Sequence, residues 1–79
     1  MEPTTLFTFS EALTLLHAGN KLARQGWNGT GMYIHLQRPD ANSKMKRPYI
    51  YIVPDADSVV PWVASQRDLL ETDWYIVNE

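Results

Sequence analysis

Apolar positions follow two different periods along this chain, and the switches between them mark its elements. Phe9, Ala12, Leu13 and Leu16 recur at helical spacing. Thr8-Phe9-Ser10-Glu11 has the form of a capping box, and Gly19-Asn20 ends the run as a C-terminal cap would. Together these predict a helix over about residues 9–18. From Lys21 the period becomes two. Lys21-Leu22-Ala23-Arg24 predicts a short strand, and Asn28-Gly29 suits a hairpin turn. Met32 to Gln37 alternates, with Met32, Ile34 and Leu36 toward the core and Tyr33, His35 and Gln37 on the other face.

Residues 38–48 are polar and contain Pro39, Asp40, Asn42 and Ser43, the composition of a loop. Tyr49-Ile50-Tyr51-Ile52-Val53 is the most marked strand, filled by aromatic and β-branched residues. Pro54-Asp55-Ala56-Asp57-Ser58 interrupts it. Ser65-Gln66-Arg67-Asp68 predicts a second capped helix start, with Leu69-Leu70 as its apolar patch and an end near Glu71 or Thr72. Trp74-Tyr75-Ile76-Val77 predicts a closing strand. The order gives an α+β fold: one domain over residues 1–79, a small, mainly antiparallel sheet packed with an N-terminal helix and a short second helix.

Length changes this picture in one respect. A chain of 79 residues builds a marginal core, and with no cysteine it has neither disulfides nor thiolate metal sites to reinforce it. A closed homo-oligomer is the expected remedy. The net charge of −2, from seven basic and nine acidic residues, is a poor footprint for a DNA or RNA polymer. No apolar run approaches membrane-spanning length, and Met1-Glu2-Pro3-Thr4-Thr5 lacks the basic start of a secretory segment. A cytosolic protein is expected, with no membrane partner.

Signatures of catalysis are weak. His17 falls late in the first helix, where the helix dipole explains it. His35 shares a strand face with Tyr33 and Gln37, where a satisfied surface or interface histidine is at least as common as a ligand contact. The two histidines lack metal-ligand spacing, and no Gly-x-Ser-x-Gly elbow occurs. Turn chemistry accounts for Asp55 and Asp57. The reading is therefore a protein without catalytic residues, metal or cofactor, one that holds something flat. Trp27 lies among Gly26, Gly29 and Gly31, where a pure core role is hard to arrange. Trp62 follows a proline and precedes a helix start; Trp74 leads a strand and is assigned to the core. The glycines serve first to make the hairpin, though such a turn can also aim amides at an anion. Lys44, Lys46 and Arg47 form a basic loop, more commonly just a solvated one.

Four blocks carry a family resemblance: Phe9-Ser10-Glu11-Ala12-Leu13; Gly26-Trp27-Asn28-Gly29 with Gly31-Met32; Val60-Pro61-Trp62-Val63-Ala64-Ser65-Gln66 with Asp68-Leu69-Leu70; and Asp73-Trp74-Tyr75-Ile76-Val77. In order and spacing they resemble the Thoeris anti-defence 2 family of phages across nearly the whole chain, although residues 38–58 are shorter than in many members. The resemblance implies a sponge that captures cyclic nucleotide immune signals without cleaving them. Glycocyclic ADP-ribose is the best-known ligand class, and some members also hold cyclic oligonucleotides of CBASS. It further implies a homotetramer with pockets between subunits, acting in the cytoplasm of the infected host. On that basis Trp27 is expected to stack on adenine, Asn28 to bond a base edge or hydroxyl, and Gly29 and Gly31 to approach the diphosphate. Met32 belongs to the same block. Trp62 would wall the pocket from a second subunit, and Ser65 and Gln66 would add polar contacts. Asp68 suits ribose hydroxyls or a capping role, and Arg47 or Lys46 would neutralise phosphate. An enzyme that degrades the signal, or a module that inhibits an immune protein directly, are the alternatives.

Overall fold

The computed structural model describes residues 5–27, 31–55 and 58–77. Its elements run α1 (Phe9–His17), β1 (Lys21–Arg24), β2 (Tyr33–Gln37), β3 (Tyr49–Val53), β4 (Val60–Pro61), α2 (Gln66–Leu70) and β5 (Trp74–Val77). The five strands form one sheet in the order β4-β3-β2-β1-β5, with every neighbouring pair antiparallel. This is the α+β arrangement that the hydrophobic pattern predicts.

Local chemistry sets the helix bounds. The Thr8 hydroxyl accepts from the Glu11 amide, and the Glu11 carboxylate accepts from the Thr8 amide at 2.9 Å, which satisfies two orphan donors at once. At the other end the Gly19 amide bonds the Leu16 carbonyl and the Asn20 amide bonds the Leu15 carbonyl, the two bonds of a Schellman motif. Gly19 has φ of +101°, which disfavours any side chain there. Gly19→Ala is accordingly expected to cost about 1–2 kcal/mol, read as a lower urea midpoint with an unchanged slope.

Register then places the core. Leu22 faces Ile76 on one side and Ile34 on the other, and Ile34 faces Ile52, so one face of the sheet is apolar. α1 packs on this face through Ala12 and Leu16, both fully buried. Leu13, expected in the same stripe, is 37% exposed. It lies at the edge of the arc centred between Ala12 and Leu16, and Leu15 takes the opposite flank. Trp74 is fully buried, as expected of a core residue. The N-terminal segment adds a further bridge to β5, where Phe7 and Trp74 exchange both backbone hydrogen bonds. β4 is an element that periodicity did not predict. Its two residues pair with Tyr51 and Ile52, and the Trp62 amide extends the ladder to the Ile50 carbonyl. The Asn28-Gly29 turn lies outside the described residues.

Candidate functional site

The three tryptophans meet. Trp74, at the start of β5, is the hub: Trp27 packs perpendicular to it at 5.4 Å between ring centroids, Trp62 perpendicular at 6.0 Å, and Phe9 tilted at 5.4 Å. Long-range pairing creates this cluster. β5 lies beside β1, which sets Trp74 opposite Arg24 and brings the segment after β1 over the Trp74 ring. Trp27 thereby gains the packing partner that its glycine-rich surroundings do not reveal. Trp27 and Trp62 are both half-buried, and both belong to the periphery of the core. The perpendicular packing leaves at least one face of the Trp27 indole clear of Trp74.

Beneath the indoles lies a buried ionic cluster centred on Arg24. Its guanidinium is forked: Nε donates to Asp73 Oδ1 at 2.8 Å, Nη2 to Asp73 Oδ2 at 3.5 Å, and Nη1 to Asp68 Oδ1 at 2.9 Å. Glu71 stands farther off at 3.7 Å. Arg24 and Asp68 are each only 8% exposed. Asp68 is the most heavily used group. Its Oδ1 also accepts from Trp27 Nε1 at 3.3 Å, its Oδ2 accepts from the Ser65 amide, and its backbone carbonyl accepts from Trp74 Nε1 at 3.0 Å. In return the Ser65 hydroxyl accepts from the Asp68 amide, completing the capping box of α2. Asp73 also accepts the Gly26 amide at 2.9 Å.

These contacts fix the protonation states. Burial pushes the Asp68 carboxyl up, but hydrogen bonds from Ser65, Arg24 and Trp27 outweigh it and hold the group below the usual carboxylate range. Asp73 follows the same pattern, with burial opposed by Arg24 and the Gly26 amide. The bond to Asp73 raises Arg24 against the effect of burial, with Asp68 adding to the rise. At neutral pH the cluster is a fixed arginine bridging two carboxylates. Neither carboxyl is poised as a general acid.

Arg24 and Asp73 are the site residues that sequence reasoning did not single out. A signal existed for the first: Arg24 shares the strand face of Leu22, so a charge on the apolar side requires anions across from it. The other expected residues distribute unevenly. Trp27, Trp62, Ser65 and Asp68 form one connected group, with Gln66 exposed beside it at the start of α2. Met32 is half-buried just before β2, and Gly31 adopts φ of +82°. Asn28 and Gly29 lie outside the described residues. Arg47 is exposed in the loop after β2, at the end of the sheet remote from Trp27. The length of β2, about 16 Å at the usual rise, separates them within one chain. His35 is satisfied: Nε2 donates to the Gly19 carbonyl at 3.2 Å, and Nδ1 is within hydrogen-bond distance of Tyr51 Oη at 3.0 Å. Among the described residues, no helix is long and apolar enough to cross a membrane.

The Trp27 indole is thus held between the Trp74 ring and the ionic cluster of Arg24, Asp68 and Asp73. Comparison with known proteins gives the chain a lineage. Residues 7–77 match the family model of the Thoeris anti-defence 2-like domain, and the chain belongs to that family. That membership puts it among phage anti-defence proteins. The Thoeris anti-defence 2 protein of Bacillus phage SP01 is similar, with 33% identity over an 87-residue alignment covering 94% of this chain and 98% of that protein.

Proposed function

We propose that this protein is a sponge: it binds a cyclic nucleotide signal of the glycocyclic ADP-ribose class and withholds it from its effector without cleaving it. The observation that carries the reading is the clamped Trp27, whose indole is braced against Trp74 and hydrogen-bonded to Asp68 by the chain's own residues. A rigid aromatic face lowers the ordering cost of capture, and stacking on a base is worth about 1–3 kcal/mol. Asn28, Gly29, Gly31 and Met32 supply further ligand contacts, and Gln66 offers an amide from the start of α2. Trp62 walls the pocket. Asp68 and Ser65 act mainly through position, since their polar atoms already serve the chain's own donors and acceptors.

In this reading Arg47 comes from another copy of the chain, the site lies between subunits and the protein is a homo-oligomer, with four subunits as in the resembled family. Exposed apolar residues support this. Val59, Val60, Val63, Leu69 and Leu70 lie in or beside β4 and α2, with Val63 88% and Leu70 75% exposed. The place of action is the infected host's cytoplasm.

The test is incubation with glycocyclic ADP-ribose, followed by denaturation and mass spectrometry. Recovery of intact ligand, stoichiometric with sites, is expected; turnover beyond one equivalent per site defeats the proposal in favour of an enzyme. Trp27→Ala is expected to weaken binding by about a hundredfold, the upper end of one base-stacking contact, while light scattering shows the oligomer unchanged.

A further inference from the structure

We infer that Arg24 is the positioning residue of this site: its forked guanidinium sets, through Asp68, the direction of the Trp27 indole and, through Asp73, the place of the Gly26 amide. The inference rests on the binding reading for its consequence, but its geometry is independent of any ligand. Arg24 ends β1, and the two residues it aligns, Gly26 and Trp27, lie in the segment directly after it. Its carboxylate partners come from α2 and from the residue before β5, so one side chain ties three segments together at the end of β1.

Each link is specific. Asp68 Oδ1 receives Arg24 Nη1 and Trp27 Nε1 together, so the carboxylate that orients the indole is itself oriented by the guanidinium. Asp73 Oδ2 receives both the Gly26 amide and Arg24 Nη2. Gly26 is close-packed against this pair: a Cβ there would stand 3.1 Å from Arg24 Nη2 and 3.1 Å from Asp73 Oδ2, atoms that hydrogen bonds hold in place. The chain is therefore pinned at Gly26. Lysine keeps the charge but not the fork, and one ammonium cannot reproduce the paired, planar contact to Asp73 while reaching Asp68.

The experiment is Arg24→Lys, examined by ¹⁵N-resolved NMR of the intact protein and by titration with glycocyclic ADP-ribose. The indole N–H signals are assigned with Trp27→Phe. The variant is expected to keep wild-type far-UV circular dichroism and the Trp74 indole signal. The Trp27 indole and Gly26 amide signals should move and exchange with solvent about tenfold faster. Affinity should fall about tenfold, the loss of one charge-assisted hydrogen bond's worth of alignment. A folded variant with both signals unchanged overturns the inference, as do displaced signals with unchanged affinity. If Arg24→Lys does not fold, Asp73→Asn reports instead: faster Gly26 amide exchange with weaker binding supports the inference, and an unchanged amide overturns it. If the wild-type protein binds no glycocyclic ADP-ribose, the sponge reading falls, and the Trp27 and Gly26 signals alone decide whether Arg24 positions them.

Discussion

Trp74→Ala is expected to lower stability by about 3–5 kcal/mol, the usual cost of removing a fully buried aromatic side chain. The side chain is completely enclosed and touches Phe9, Trp27 and Trp62, so its loss opens a cavity beneath three rings at once. It also strips the Asp68 carbonyl of the Trp74 Nε1 donor. At about 4–8 °C per kcal/mol for a chain of this size, the melting temperature should fall by at least about 12 °C. Trp74→Phe, which keeps a ring but loses the donor and some volume, should fall between the variant and the wild type. Urea unfolding checks both. A loss below about 1 kcal/mol for the alanine variant would show that the surrounding rings collapse into the space and that Trp74 is not the hub.

The contrast between Trp74 and Trp27 shows what the sequence made legible. Trp74 read as core because Ile76 shares its face within one short strand, a purely local pattern. The packing of Trp27 depends on β5 returning beside β1, a contact between residues nearly fifty positions apart that no local period encodes. The same division holds elsewhere. Thr8 with Glu11 and Ser65 with Asp68 announce helix starts because a capping box is complete within four residues. β4 was silent, since two residues that include Pro61 carry no period and gain strand character only from pairing with β3. Arg24 was half-legible: its face followed from alternation with Leu22, but its anions came from α2 and the start of β5. The ionic cluster thus emerged only when the fold joined those segments.

Asp68→Ala is expected to cost about 3 kcal/mol at neutral pH, because it removes one partner of a buried ion pair and breaks the α2 capping box in one change. Arg24 keeps Asp73, which limits the loss to the lower end of the range for a broken buried pair. Acid separates this mechanism from simple packing. Folding holds Asp68 and Asp73 below their ordinary pKa, so their stabilisation is complete above the unfolded carboxylate range, about pH 4, and is lost as pH falls through the lower folded-state values. Arg24 is shifted upward, so its contribution is complete at every pH below its ordinary value and does not change in acid. The wild type should therefore lose stability steeply below about pH 4, and the gap between wild type and Asp68→Ala should narrow there. Urea midpoints measured from pH 7 down to the acid limit of folding give the result directly. A gap that stays constant with pH would mean that Asp68 stabilises through its backbone and packing alone. A gap that closes would identify its charge, shared between Arg24 and the Trp27 indole, as what holds α2 to the end of β1.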